Sequence, residues 1–131
     1  MIDQELKLGL MAARQEFSPQ QIVDLIPYSH FIGAQAKIEG SEVVYWLERR
    51  PSNIGNPSLP AIHGGVIGGF LELSASIEIL YSLDVASIPK VVDFSLDYLR
   101  PGRYKTIYAG CTVLRQGKNL VNVAATAWQD D

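Results

Sequence analysis

The sequence has little cysteine, no excess of positive charge and no long apolar run. Its single cysteine, Cys111, excludes an internal disulfide and favours a reducing compartment. No run approaches the roughly 18 apolar residues of a membrane span, and the N-terminus lacks the basic and apolar regions of a secretory signal. The two histidines, His30 and His63, lack the spacing of metal ligands. These absences predict a cytoplasmic protein without an anchor or a metal.

The net charge also limits the function. Eleven Lys and Arg residues against 14 Asp and Glu residues leave a charge of −3, which provides no overall positive field for nucleic acid. Five basic residues nevertheless lie between positions 100 and 118 without an acidic one: Arg100, Arg103, Lys105, Arg115 and Lys118. This group could bind a phosphate locally, or it could keep hairpin ends soluble.

The most apolar stretch covers residues 63–80 and predicts a helix that is buried nearly all round. Only a narrow stripe of Gly68, Gly69, Glu72 and Ser76 interrupts the apolar surface. Small residues on this stripe would let a substrate approach the helix beside the carboxylate of Glu72. At the start of the helix, His63-Gly64-Gly65 would expose backbone N–H groups that stabilise an anion or a developing oxyanion.

The rest of the chain predicts helices and strands around that helix. We expect two helices within residues 1–27 and two strands, at 31–38 and 43–48, before a proline-rich loop at 50–60. Period-two alternation predicts three further strands, at 91–99, 106–114 and 120–128. The result would be one α+β domain over 1–131, with an antiparallel sheet wrapped around one helix in the core at 28–131.

Three motifs carry a resemblance to a known family. Residues 56–66 read NPSLPAIHGGV and are followed by Glu72, residues 93–102 read DFSLDYLRPG, and residues 115–118 read RQGK. Together they resemble the hotdog-fold acyl-CoA thioesterases, most closely the phenylacetate-pathway (PaaI-like) and 4-hydroxybenzoyl-CoA thioesterase branch. The resemblance covers roughly residues 28–129. It implies a hotdog fold and hydrolysis of a small or medium, or aromatic, acyl-CoA.

The resemblance also implies roles for individual residues. Glu72 matches the catalytic carboxylate, which attacks the thioester or activates a water. The N–H of Gly64 matches the oxyanion donor, and Ser76 matches a hydroxyl that orients the nucleophile or water. His63 would shape the loop more than transfer protons. Relatives have Asn or Gln six residues before this histidine, where this chain has Pro57, so Asn56 is the nearest candidate amide.

The same resemblance predicts the substrate contacts and the assembly. Gly65 and Gly68 would lie against the substrate, and the CoA phosphates would meet Arg100, Arg103, Arg115 or Lys118. CoA would enter as part of the substrate, without a separate cofactor. Members form dimers or tetramers with each active site at a dimer interface. Hotdog sheets usually have another strand after the one ending at Trp128, so this sheet either lacks a C-terminal piece or is completed differently.

Two alternatives remain open at the sequence level. A non-catalytic acyl-CoA-binding module would keep the fold without using Glu72. A hydratase or dehydratase of the same fold would use His63 as a base, and it would add water to an enoyl-CoA without releasing free thiol.

Overall fold

The computed structural model describes residues 4–83, 85 and 88–130. Strands β1, β2, β5 and β6 form an antiparallel sheet in that order, and β3 pairs with β4 in a second small sheet. The sheet packs on one long helix, as the α+β prediction requires. The elements are α1 Gln4–Gln15, α2 Pro19–Leu25, α3 Pro27–Ile32, β1 Ala34–Glu39, β2 Glu42–Leu47, a 3-10 turn Pro51–Asn53, β3 Ile54–Asn56, β4 Ala61–Ile62, α4 Gly64–Ser82, β5 Ile107–Gln116 and β6 Val121–Trp128.

Helix α4 forms the centre of the core. Phe70, Ile77 and Leu80 are buried on it, in one hydrophobic cluster with Tyr45 and Ala109 of the sheet. Within the described ranges, α4 is the one helix long and apolar enough to cross a membrane. It packs instead against β5, β6 and the three preceding helices. Burial in the core therefore accounts for its apolar character.

The N-terminal helices belong to this core. Leu10, Ala13 and Ile22 are buried where α1 and α2 pack on each other and on α4. The Arg14 guanidinium donates from Nε to the carbonyl of Leu80 at 3.0 Å and from Nη2 to that of Leu83 at 3.1 Å. This places a positive charge on carbonyls at the negative end of the α4 dipole.

The predicted strand at 31–38 is wrong at its start. Pro27 occupies the first position of α3, so it begins a new helix besides ending the previous one. The helix continues through Ile32 and ends at Gly33, whose φ of 81° is a left-handed conformation that glycine adopts without strain. Asn53, buried in the 3-10 turn that follows β2, donates its side-chain amide to the Ile32 carbonyl at 2.9 Å. Asn53 is therefore structural.

The predicted strand at 91–99 is also wrong for the single chain. The described residues 88–100 include no ladder-paired strand. Val92 is 77% exposed and Leu99 is 88% exposed, and β6 pairs with β5 alone. The alternation is real, but a strand also needs a partner that accepts and donates backbone hydrogen bonds. No described segment of this chain supplies one.

Candidate active site

Glu72 lies on the exposed stripe of α4. Its side chain is exposed, and the carboxylate forms no hydrogen bond or ion pair with any residue the structure describes. Its helical neighbours Leu71 and Leu73 are buried. Ser76, one turn later, is half-buried, and its hydroxyl is likewise without a partner in the described ranges. The stripe predicted from the sequence is thus present, with its carboxylate free.

Aromatic and apolar side chains border both sides of this stripe. A Cβ atom added to Gly68 would lie 3.3 Å from Leu96 Cδ2 on one side. A Cβ atom added to Gly69 would lie 2.5 Å from the Tyr28 hydroxyl on the other side. Glycine at these positions permits the close approach of Leu96 and Tyr28 to the helix. Glu72 therefore lies one turn after two glycines that these side chains contact.

The start of α4 has one free N–H group. His63 is the N-cap, and its Nδ1 accepts from the Gly65 N–H at 2.8 Å, so Nδ1 carries no proton. The His63 carbonyl accepts from Val66 and Ile67. The Gly64 N–H has no acceptor among the described residues. His63 therefore shapes the helix start, and Gly64 presents a donor at the positive end of the helix dipole.

A cavity of about 1000 Å³ opens beside Glu72. Its walls come from α4, from the extended segment at 89–96 and from the β5–β6 hairpin. Arg115 and Lys118, both predicted to bind substrate, line it together with Glu72 and Ser76. Lys90 also lines it, although the sequence analysis had not selected this residue. The cavity thus combines the free carboxylate of Glu72 and a second acid, Asp93, with the hydroxyls of two serines and three cations.

Other predicted site residues lie elsewhere. Arg100 and Arg103 are outside the cavity, and the Arg103 backbone is held by the Gln129 side chain through N–H and carbonyl bonds of 2.9 Å each. Asn56 is exposed, and its Oδ1 accepts from the Ser58 N–H at 2.9 Å, which closes a local turn. Within one chain, these three residues do not join Glu72.

Two tyrosines at the stripe were missed as site residues. Tyr28 approaches Gly69, and Tyr98 approaches Gly64. The Tyr98 hydroxyl donates to the Gly64 carbonyl at 2.7 Å. The two contacts join residues 34 and 41 positions apart, and no local pattern indicates them. The only available signal was the pair of glycines, because a helix interior accepts glycine at a cost.

The prediction that only one stripe interrupts the apolar surface of the central helix is wrong, because α4 also carries Glu78 away from that stripe. Glu78 Oε1 accepts from the buried Tyr45 hydroxyl at 2.8 Å, and Oε2 accepts from the Ser82 hydroxyl at 3.0 Å. Burial, and then the Glu78 charge, raises the pKa of Tyr45 above its usual value. The same two causes raise the pKa of the Cys111 thiol to about 12. Glu78 therefore has a structural role, because both of its carboxylate oxygens accept hydrogen bonds.

Solved structures of other proteins share this architecture. A Chromobacterium violaceum protein is 37% identical, with a TM-score of 0.75, over 93% of this chain and 85% of that one. A phenylacetic acid degradation-related protein from Ralstonia eutropha is 18% identical, with a TM-score of 0.70, over 80% and 81% of the two chains. A Bacillus halodurans protein solved with CoA is 17% identical, with a TM-score of 0.71, over 94% and 77%.

The family follows from a match to a family model. No curated protein matches the sequence. The model of the thioesterase superfamily matches residues 59–131, which include all of α4 and the hairpin with Arg115 and Lys118. With the sheet wrapped around one helix and the 37% identical solved structure, the chain belongs to the thioesterase superfamily and has its hotdog fold.

Proposed function

We propose that the protein hydrolyses an acyl-CoA thioester, with Glu72 as the nucleophile or the general base. The observation that supports this most is the free carboxylate of Glu72 on an otherwise apolar helix, at the edge of the cavity. A carboxylate without a partner can attack the thioester carbon or take a proton from an attacking water. Ser76, one turn away, would orient that carboxylate or water.

The cavity favours a CoA thioester over a simple ester. Arg115, Lys118 and Lys90 line the end formed by the hairpin and the extended segment. They would pair with the CoA phosphates through charge-assisted hydrogen bonds. Leu71 and Ile79 line the α4 side, where a small or medium acyl group, or an aromatic one, would be buried. CoA would be part of the substrate, and no separate cofactor is needed.

The distance along α4 favours an active site shared between two chains. Gly64 and Glu72 are eight residues apart, which is about 12 Å along a helix. The nucleophile and the oxyanion donor must each lie about 3 Å from one carbonyl group, so one helix cannot supply both. A dimer would place Gly64 of one chain opposite Glu72 of the other. The exposed segment at 91–99 and the open edge of β6 are surfaces that such an interface would cover.

Release of free thiol from short, medium, long and aromatic acyl-CoAs would test the reaction. We expect turnover by the wild-type protein and none by Glu72→Gln, since the amide has nearly the same shape but cannot act as nucleophile or base. Binding without turnover across the panel would instead indicate an acyl-CoA-binding module. Water addition to an enoyl-CoA without thiol release would indicate the hydratase alternative.

Mixed dimers would test the shared site. Gly64→Pro removes the N–H at the first helical position, where proline is tolerated, and the extended backbone of His63 suits a residue before proline. Gly64→Ala is the control that keeps the N–H. Equal mixing of inactive Glu72→Gln and Gly64→Pro subunits should restore about a quarter of wild-type activity, because half of the dimers would contain one intact site. No restoration, with mixed dimers demonstrated, would place the site within one chain.

A further inference from the structure

Tyr28 contacts α4 beside the candidate catalytic carboxylate. A Cβ atom added to Gly69 would lie 2.5 Å from the Tyr28 hydroxyl and 3.1 Å from two of its ring carbons. Tyr28 therefore touches the helix at a position where an added Cβ atom would displace its hydroxyl. Gly69 is three residues before Glu72, so the two positions are neighbours on the helix surface.

Helix α3 holds Tyr28 in this position through contacts on both sides of it. The buried Ser29 hydroxyl donates to the carbonyls of Val23 and Ile26. At the other end, Asn53 donates to the Ile32 carbonyl, and the Arg50 guanidinium donates to the Phe31 carbonyl at 3.0 Å. A helix of six residues tied by side chains at both ends presents the Tyr28 ring in one place.

The Glu72 side chain leans toward the same place. Side chains of an α-helix point toward its N-terminus and cover the preceding turn. Glu72 thus covers the turn of Gly68 and Gly69, which Tyr28 flanks. The Tyr28 hydroxyl has no hydrogen-bond partner among the described residues, and neither does the Glu72 carboxylate. A donor and an acceptor, both without a partner among the described residues, thus lie on neighbouring positions of one glycine-lined turn.

The other tyrosine at the stripe differs on this point. The Tyr98 hydroxyl is already engaged with the Gly64 carbonyl. Its role is therefore to hold the extended segment against the helix start. Of the two hydroxyls, only that of Tyr28 has no hydrogen-bond partner among the described residues.

We propose that Tyr28 is a positioning residue for Glu72, and this rests on the proposed function. In the productive complex, its hydroxyl donates to the Glu72 carboxylate and selects the rotamer that faces the thioester. Gly69 is glycine because any side chain there would displace this hydroxyl. Tyr28 acts through Glu72, so it changes the rate of the chemical step more than the affinity for substrate.

Tyr28→Phe is the first test, with thiol release as the measurement. The variant keeps the ring and its contact with Gly69 but loses the donor. We expect kcat to fall about 3- to 10-fold with KM within twofold, as for loss of one hydrogen bond. The acid limb of the kcat–pH profile should move to higher pH, since donation to a carboxylate favours its charged form. The variant retains the charged residues that line the cavity beside Glu72, so they cannot account for such a shift: Lys90, Asp93, Arg115 and Lys118.

Gly69→Ala is the second test, because it displaces Tyr28 without removing the hydroxyl. We expect a similar fall in kcat, and the double variant with Tyr28→Phe should be no slower than the slower single variant. Gly9→Ala is the matched control: its Cβ would lie 2.7 Å from Leu25 Cδ1, in a helix away from Glu72. It should leave kcat unchanged.

The outcomes separate this proposal from the proposed function. A wild-type protein that releases no thiol contradicts the proposed function. An active wild-type protein with Tyr28→Phe at wild-type kcat and pH profile overturns the role of Tyr28 alone. A fall in kcat that is accompanied by a fall in the thermal midpoint would show a structural role and overturn the proposal for Tyr28. Additive effects of the two substitutions on kcat would overturn it too.

Discussion

Glu72 and Glu78 lie on the same helix, six residues and therefore about 120° apart around its axis. Glu78 accepts hydrogen bonds from Tyr45 and Ser82, whereas Glu72 accepts none within the described part of the chain. Burying an acid without partners costs several kcal/mol, so the carboxylate that faces the sheet needs donors. The carboxylate that faces the cavity needs none, and it remains free to react. One helix thus separates a structural acid from a candidate catalytic acid.

Exchange of each acid for its amide should give the largest difference. Glu72→Gln should lower kcat by about a thousandfold, as expected for loss of a nucleophile or general base. Glu78→Gln should leave kcat within twofold, because its side chain can still accept from Tyr45. Thiol-release kinetics of the two variants measure this. Equal losses of kcat would remove the distinction between the two acids.

Truncation to alanine should reverse the order of effects. Glu78→Ala should lower the free energy of unfolding by about 1–3 kcal/mol, because the buried Tyr45 hydroxyl loses its acceptor. Glu72→Ala should change it by less than about 0.5 kcal/mol, as for an exposed side chain. Urea denaturation measures both. Combined with Tyr45→Phe, the effect of Glu78→Ala should shrink, and strict additivity would contradict the pairing.

The serines of α4 extend the comparison to hydroxyl groups. Ser74 is buried and donates to the Phe70 carbonyl at 2.8 Å, whereas Ser76 is half-buried beside Glu72 without a partner in the described ranges. Ser76→Ala should lower kcat about 3- to 10-fold with little change in stability. Ser74→Ala should leave kcat unchanged. Activity lost equally in both variants would indicate a general effect on the helix.

The thiol of Cys111 on β5 tests the buried surroundings of Glu78 through the pH dependence of stability. Burial, and then the Glu78 charge, raises the thiol pKa from 9.0 to about 12. The folded protein therefore favours the neutral thiol, and its stabilising contribution is complete below pH 9 and is lost as the pH rises toward 12. Cys111→Ala should flatten this fall in the free energy of unfolding. An unchanged slope would show that the thiol does not contribute.

Much of the fold follows from local patterns. The apolar residues of α4, its His-Gly-Gly start and the turns between strands depend on neighbours within a few positions, and they predict the helix, the first hairpin and the last two strands closely. The failures lie where distant partners decide. Helix α3 receives hydrogen bonds from Arg50 and Asn53, about 20 residues away. The alternating segment at 91–99 has no described strand to pair with in one chain.

The candidate site divides in the same way. Glu72, Ser76, Gly64 and the hairpin cations were predicted from a helical stripe and from motifs, and the structure brings Arg115 and Lys118 to the cavity of Glu72. Arg100 and Arg103 were grouped with them by their charge and by the resemblance, yet within one chain they lie outside it. The positions of charged residues along the sequence do not predict on which face of the domain each side chain lies.

By itself, the sequence determined that one apolar helix carries an acid beside small residues, because helical periodicity is a property of adjacent turns. Only the tertiary structure decided which of two acids is free, since Tyr45 and Glu78 lie 33 residues apart in the chain. It also decided that Tyr28 approaches Gly69. Hydrogen bonds and steric contacts between distant segments form only when the sheet closes on the helix, and no local pattern encodes them.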